Sequence, residues 1–344
     1  MSADADAAPK ARAVGSDRPR RAPAAVAIAG GLLLLLVVGV VSLGTGPTGI
    51  GWSRAIAALL DDEPSRLRSL VVDVRLPRAL LAVLVGGSLA VAGLLAQALT
   101  RNPLASPQTF GINAGAAVAI VTATIAFPNL GALGTVAALV GAAVVGAIMW
   151  ALSTTGAVTI VGLALAGMTM QIVLSALVQA ILIMNNSTHD IVFWLAGSVT
   201  GAQWDDVALL APATAIGCAA ALVGSRSFAL LALDTTTAAS LGQRPARAAG
   251  AAATIVVVLA GTAVAVAGPI GFIGLIVPHI ARRLVGPRFV TQLVACLVLG
   301  PLLLLSADVL ARLVAFPAET PAGIVTALLG APVFLILAIR ARRA

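Results

Sequence analysis

Across 344 residues only 10% are charged, tyrosine is absent, cysteine and histidine occur twice each, and the single lysine is Lys10. Each shortage removes a class of function. A phosphate-binding loop of the Walker type needs a lysine after its glycines to hold the β- and γ-phosphates, and Lys10 lies in a leading stretch without glycine-rich patterning, so this chain cannot carry one. If ATP drives the protein, a separate subunit hydrolyses it, and the chain is not itself an enzyme. Cys218 and Cys296 both sit in apolar runs, where a thiol behaves as a small hydrophobe, so neither a disulfide framework nor a metal spacing is present. His189 and His279 are far apart and have no H-E-x-x-H pattern, which leaves no zinc chemistry and no expected cofactor. The net charge of +8 does not point to nucleic acid, because the arginines are dispersed among apolar segments and no tyrosine is available to stack on bases.

What the chain has instead is apolar sequence, 60% of the total. No soluble core absorbs that excess. Each bilayer crossing takes about 20 mainly apolar residues, so the chain has room for about ten helices, and long runs without period-2 polarity exclude a barrel. The fold expected is an all-α polytopic membrane protein. Residues 1–22, rich in Ala, Pro, Asp and Arg, read as a disordered basic tail, and residues 23–344 as one transmembrane domain. The run at 24–43 follows basic residues as a signal peptide does, but it has the length of a full span and is taken as the first helix. Further spans fall at about 79–100, 109–127, 131–151, 157–184, 206–225, 248–267, 270–285, 290–310 and 322–339. The apolar segment 191–199 is too brief to cross and reads as re-entrant or interfacial.

Basic residues are retained on the cytoplasmic side during insertion. Ten spans put both termini on one side, and the arginines at 18, 20, 21, 340, 342 and 343 make that side the cytoplasm. Arg226, Arg244, Arg247, Arg282, Arg283 and Arg288 fall inside as well, whereas Arg54, Arg66, Arg68, Arg75, Arg78 and Arg312 fall outside, against the bias.

No charged residue lies near the middle of an expected span, which counts against a secondary transporter, since ion coupling uses an intramembrane carboxylate. The mid-membrane polar residues are neutral: Gln97, Asn113, Gln171, Ser175 and Gln179. They suit either a wet pathway or hydrogen bonds between helices. Small residues recur, as at Gly86, Gly87 and Ala90 and at Gly111 and Gly115, and allow close helix approach. The connection at about 227–247 reads as two short helices around a capping site at Asp234–Thr237, ended by Gly242, which suits a docking knob on the membrane face.

Several loops carry more than pattern. V-R-L-P-R at 74–78, Q-A-L-T-R-N-P-L-A at 97–105, G-I-N-A-G-A at 111–116, W-L-A-G-S at 194–198, Leu241-Gly242, A-G-P-I-G-F-I-G-L-I-V-P-H at 267–279 and P-A-G-I-V-T-A-L-L-G-A-P at 321–332 resemble, in order, the FecCD-type permeases of siderophore and cobalamin ABC importers. The resemblance spans about residues 24–340. It implies the type II importer permease fold in the cytoplasmic (inner) membrane, a second identical or different permease subunit, two ABC ATPase subunits and an extracytoplasmic substrate-binding protein.

The resemblance also implies site residues. Arg75 and Arg312, with Arg78, are expected to face outward and dock the binding protein. Ser153, Thr154 and Thr155 match the cytoplasmic gate, and Leu233, Asp234, Leu241 and Gly242 match the helices that couple to the ATPase. Gln97, Asn113 and Gln171 are the expected pathway residues. Asp234-Thr235 and Ala239-Ser240 depart from the family's usual charges in the coupling segment, which makes its fit to an ATPase particular to this chain. The N-P-L-A-S-P and G-I-N-A-G stretches look most like the siderophore branch, so a ferric siderophore is the expected cargo, with cobalamin or haem as the alternatives.

Overall fold

A computed structural model describes residues 24–341 apart from 47–48, 62, 64, 128–131, 155–159, 186–192, 232–244 and 317. The described residues form α1 (Ala24–Gly44), α2 (Trp52–Leu60), α3 (Arg66–Ser69), α4 (Leu76–Thr100), α5 (Ile112–Ala126), α6 (Ala132–Thr154) and α7 (Ile160–Met184). The second half adds α8 (Trp204–Val223), α9 (Ser225–Leu231), α10 (Pro245–Ala267), α11 (Ile273–Val285), α12 (Phe289–Val314) and α13 (Ala322–Ala341). A helix stands at each of the ten expected span positions.

Seven of the described helical stretches are long and apolar enough to cross a membrane. The three others are α5, α11 and α13. At 13 residues, α11 is about 20 Å long, short of the roughly 30 Å hydrocarbon core. Its expected start at 270 gives way because Gly268 (φ 70°) and Phe272 (φ 67°) both adopt left-handed backbone, which a continuing helix cannot contain.

The stretch 66–78, expected as a loop, is helical. A widened π-helical turn, Leu70–Arg75, joins α3 to α4, and the continuous segment Arg66–Thr100 is 35 residues long. At roughly 1.5 Å per residue it is longer than a bilayer core is thick.

The central helix is α4, whose apolar window is 83% buried, against 6% for α1. It packs along α12, α10, α11 and α8. That centrality follows from its small residues. A side chain at Gly86 would strike the backbone of Gly300 on α12, and one at Gly93 would strike the backbone of Gly274 on α11, so backbone meets backbone as in other small-residue membrane interfaces. The expected pairing role of Gly111 and Gly115 also holds, against α7 and α6 respectively.

Of the expected 191–199 segment, Phe193–Leu195 are helical and residues 191–192 lie outside the described residues. It is held between two helix ends. Ser198 N–H donates to Ala267 O at the end of α10 (2.8 Å), and Gly323 N–H at the start of α13 donates to Gly197 O (2.8 Å). Irregular backbone is tolerated at membrane depth only when its polar groups are satisfied in this way.

Candidate functional site

The end of the bundle where α1 finishes carries a buried ion network. Arg75 and Arg78 are three residues apart on one face, and Asp308 and Arg312 form an i,i+4 pair on α12. Arg78 grips Asp308 with two nitrogens, Nε to Oδ1 at 3.0 Å and Nη2 to Oδ1 at 2.8 Å. Its third nitrogen, Nη1, donates to Glu319 Oε2 at 2.6 Å. Arg312 Nη2 donates to the other oxygen of Asp308. One carboxylate thus bridges two guanidinium groups.

The remaining donors close the end of α1. Arg312 Nη1 donates to Ser42 O (2.8 Å) and Thr45 O (3.0 Å), and Arg75 Nη1 donates to Leu43 O (2.6 Å). These carbonyls belong to the last turn of α1 and the residue after it, where no intrahelical donor remains, and the negative end of the helix dipole favours a cation there. Arg75, Arg78, Arg312 and Asp308 are 5%, 7%, 3% and 1% exposed. The three arginines stand together at one end of the bundle and are buried there. Most of their donors bond within the chain, since burial leaves a guanidinium no water to bond, and Arg312 Nε alone of that group's nitrogens has no partner among the described residues.

Asp308 and Glu319 are the residues that sequence reasoning missed as site members. Asp308 fell two residues inside the end of an expected span, and only its i,i+4 spacing to Arg312 signalled a pair.

The expected pathway residues separate. Gln97 is 3% exposed, and its Nε2 donates to Leu275 O (3.2 Å) and Gly274 O (3.5 Å) on α11. Gly274 O has no intrahelical donor because the residue four positions on, Pro278, has no N–H. Gln97 supplies the missing donor from the neighbouring helix. Asn113, 2% exposed, is also interior, and neither atom of its amide has a hydrogen-bond partner among the described residues. Both are therefore interior to this subunit. Gln171 is different. It lies on α7, most of whose residues are uncovered, and its Nε2 donates to Ser175 Oγ along the same helix (3.3 Å).

At the opposite end, Ser153 and Thr154 close α6, but their side chains, and Thr155 entirely, lie outside the described residues. So do Leu233, Asp234, Leu241 and Gly242. The described part of the expected short helix before the capping site is α9, Ser225–Leu231, and residues 232–244 lie outside the described residues. Arg101, in left-handed conformation at the end of α4, donates its Nε to Leu231 O (3.0 Å) and so ties the central helix to the start of that connection.

Seven long apolar helices among the described residues, packed around a centre where glycine meets glycine, define a multi-pass membrane protein. The chain belongs to the FecCD transport family, whose family model matches residues 33–340. It is 43% identical over 311 residues to the Fe(3+)-citrate import system permease protein YfmD of Bacillus subtilis, covering 90% of this chain and 93% of that protein. It is 40% identical to the iron(3+)-hydroxamate permease FhuB of Bacillus subtilis over 93% of this chain and 84% of that one. With the ferric enterobactin permease FepD of Escherichia coli it shares 38% over 93% and 96% of the two chains. Among solved structures, a metal-chelate type ABC transporter in an inward-facing conformation matches with a TM-score of 0.80 and 29% identity, over 91% of this chain and 98% of that one.

Proposed function

We propose that this chain is the permease subunit through which an ATP-driven importer moves a ferric siderophore across the cytoplasmic membrane. The observation that carries the reading is that relatives named for ferric citrate, hydroxamate and enterobactin import each align over 90% or more of this chain. The cargo differs among them, but each is an iron(III) chelate.

Around this chain the working importer has two ATPase subunits, an extracytoplasmic binding protein and a second permease, identical or different. Residues 23–344 are the transmembrane domain, residues 1–22 a cytoplasmic tail, and both termini face the cytoplasm. The binding protein docks at the end where α1 finishes. There Arg75, Arg78 and Arg312 hold the shape of the face, while Arg54 and Arg66, both exposed, offer guanidinium groups to it. The pathway runs along α7, where the part-exposed Gln171 and Ser175 and the exposed Gln179 give an otherwise apolar surface a polar stripe. Ser153, Thr154 and Thr155 form the cytoplasmic gate. Leu233, Asp234, Leu241 and Gly242 couple to the ATPase, and Arg101 relays their movement into α4.

The test is uptake of radioactive iron presented on several purified siderophores, with labelled cobalamin and haem alongside, in cells lacking this chain. Loss of one siderophore class with cobalamin and haem unaffected is the expected result. Loss of cobalamin or haem alone contradicts the cargo, and intact uptake of every substrate by cells with no other importer of the class contradicts the function.

A further inference from the structure

Where α1 begins and α11 ends, the first turns of α1 and α12 and the last turn of α11 leave a groove between them. Ala27, Ile28, Leu284, Val285, Val298 and Leu299 line it, a shallow cleft open on one side. Its walls are aliphatic. It adjoins α1, the least covered of the long helices, so it faces the bilayer rather than a polar path.

Next in the chain to the wall residues Leu284 and Val285, three arginines fall within seven residues. Arg282 and Arg283 occupy the last turn of α11, and Arg288 immediately precedes α12. All three are exposed, and none forms an ion pair among the described residues. Arg288 shares a stripe of α12 with Ala295 and Val298, seven and ten residues on, so one helix face carries a charge at its end and groove wall below it.

Apolar walls in the hydrocarbon region with cations at the interface match one molecule. We propose that this groove and Arg282, Arg283 and Arg288 bind an anionic phospholipid of the cytoplasmic leaflet, its acyl chain against Ile28, Val285 and Val298 and its phosphate on the guanidinium groups. Guanidinium groups match phosphate oxygens in geometry as well as charge, and each basic residue at an anionic surface contributes about 1 kcal/mol. A zwitterionic lipid fits the groove but offers no net charge to the arginines. An arginine cluster kept inside by topology alone attracts any anion and needs no groove. The inference rests on the orientation proposed above, in which this end is cytoplasmic, and not on the cargo.

Native mass spectrometry of the purified full chain, equilibrated with phosphatidylglycerol or with phosphatidylcholine of the same acyl chains, tests it. Phosphatidylglycerol is expected to be retained on the order of 10-fold more strongly, and Arg288→Gln to weaken it about fivefold. Ala27→Phe, which fills the groove and leaves the charge alone, is expected to weaken it similarly, while dihexanoyl phosphatidylglycerol and inorganic phosphate compete poorly. Equal retention of the two lipids overturns the proposal. So does full retention by Ala27→Phe, or by Ile28→Trp should the first variant fail to insert, because the arginines then act without the groove. Iron uptake is measured on the same variants, so a wrong cargo and a wrong lipid site are told apart.

Discussion

Where α1 finishes, Arg75, Arg78 and Arg312 are buried and bonded to Asp308, Glu319 and the last carbonyls of α1, whereas where α1 begins, Arg282, Arg283 and Arg288 are exposed and make no ion pair among the described residues. The same side chain therefore does opposite work at the two ends. A buried guanidinium has lost its water and must be held by carboxylates and carbonyls, so it fixes the relation between helices. An exposed one keeps its water, contributes little to folding, and remains available to a partner or a lipid headgroup. The positive-inside bias explains the second group only. In the proposed orientation the first violates it, and its charge is largely compensated within the fold by Asp308, Glu319 and the carbonyls of α1.

The contrast breaks most readily at Asp308. Asp308→Asn leaves Arg78 and Arg312 short of a counter-charge in a site with no water, and is expected to cost about 3–5 kcal/mol, read as a fall in melting temperature and in monodisperse protein after extraction. Glu319, with one face in solvent, matters less. A second break compares the covered helix α4 with the uncovered α1. Gly93→Leu forces α4 away from the backbone of Gly274 and is expected to cost about 1–3 kcal/mol or more, whereas Gly30, with no atom within 4 Å of an added side chain, accepts leucine with no change in melting temperature.

A third variant sharpens the account of the seam between α4 and α11. Gln97→Ala is expected to cost about 1 kcal/mol. Pro278→Ala restores the N–H that Gly274 O lacks, so in that background Gln97→Ala is expected to cost clearly less. A double-mutant cycle of melting temperatures reads the coupling, and strict additivity counts against the donor role. The smallest effect belongs to the exposed end, where Arg288→Gln in lipid-free detergent is expected to stay within about 0.5 kcal/mol.

How much of this was open to a reader of the sequence depends on which physical signal each feature leaves. Ten helices were legible because an apolar run long enough to span leaves little else for the backbone to do. The start of α11 at Ile273 rather than 270 was not, because the G-P-I-G-F-I-G stretch is as apolar as a helix, and the left-handed Phe272 has its ring packed on Gly330. The three outer arginines announced themselves by breaking the charge bias. Their partner Asp308 did not, since one carboxylate near the end of an apolar run reads as a boundary residue. Gln97 and Asn113 were visible as polar residues at membrane depth. Nothing in their spacing told an interior seam from a pathway, because the distinction depends on which face α4 and α5 turn toward their neighbours. The pairing of Gln97 with the carbonyl freed by Pro278 joins residues far apart in the chain.

The most direct test of the opposed roles of arginine is covalent labelling of the intact, detergent-solubilised chain with a small arginine-selective dicarbonyl, followed by peptide mass spectrometry. Rapid modification of Arg282, Arg283 and Arg288 with protection of Arg75, Arg78 and Arg312 until the protein is unfolded is the result expected. Modification of Arg78 and Arg312 in the folded protein at the rate of Arg288 would show those guanidinium groups projecting into solvent, and would contradict the buried network on which the account rests.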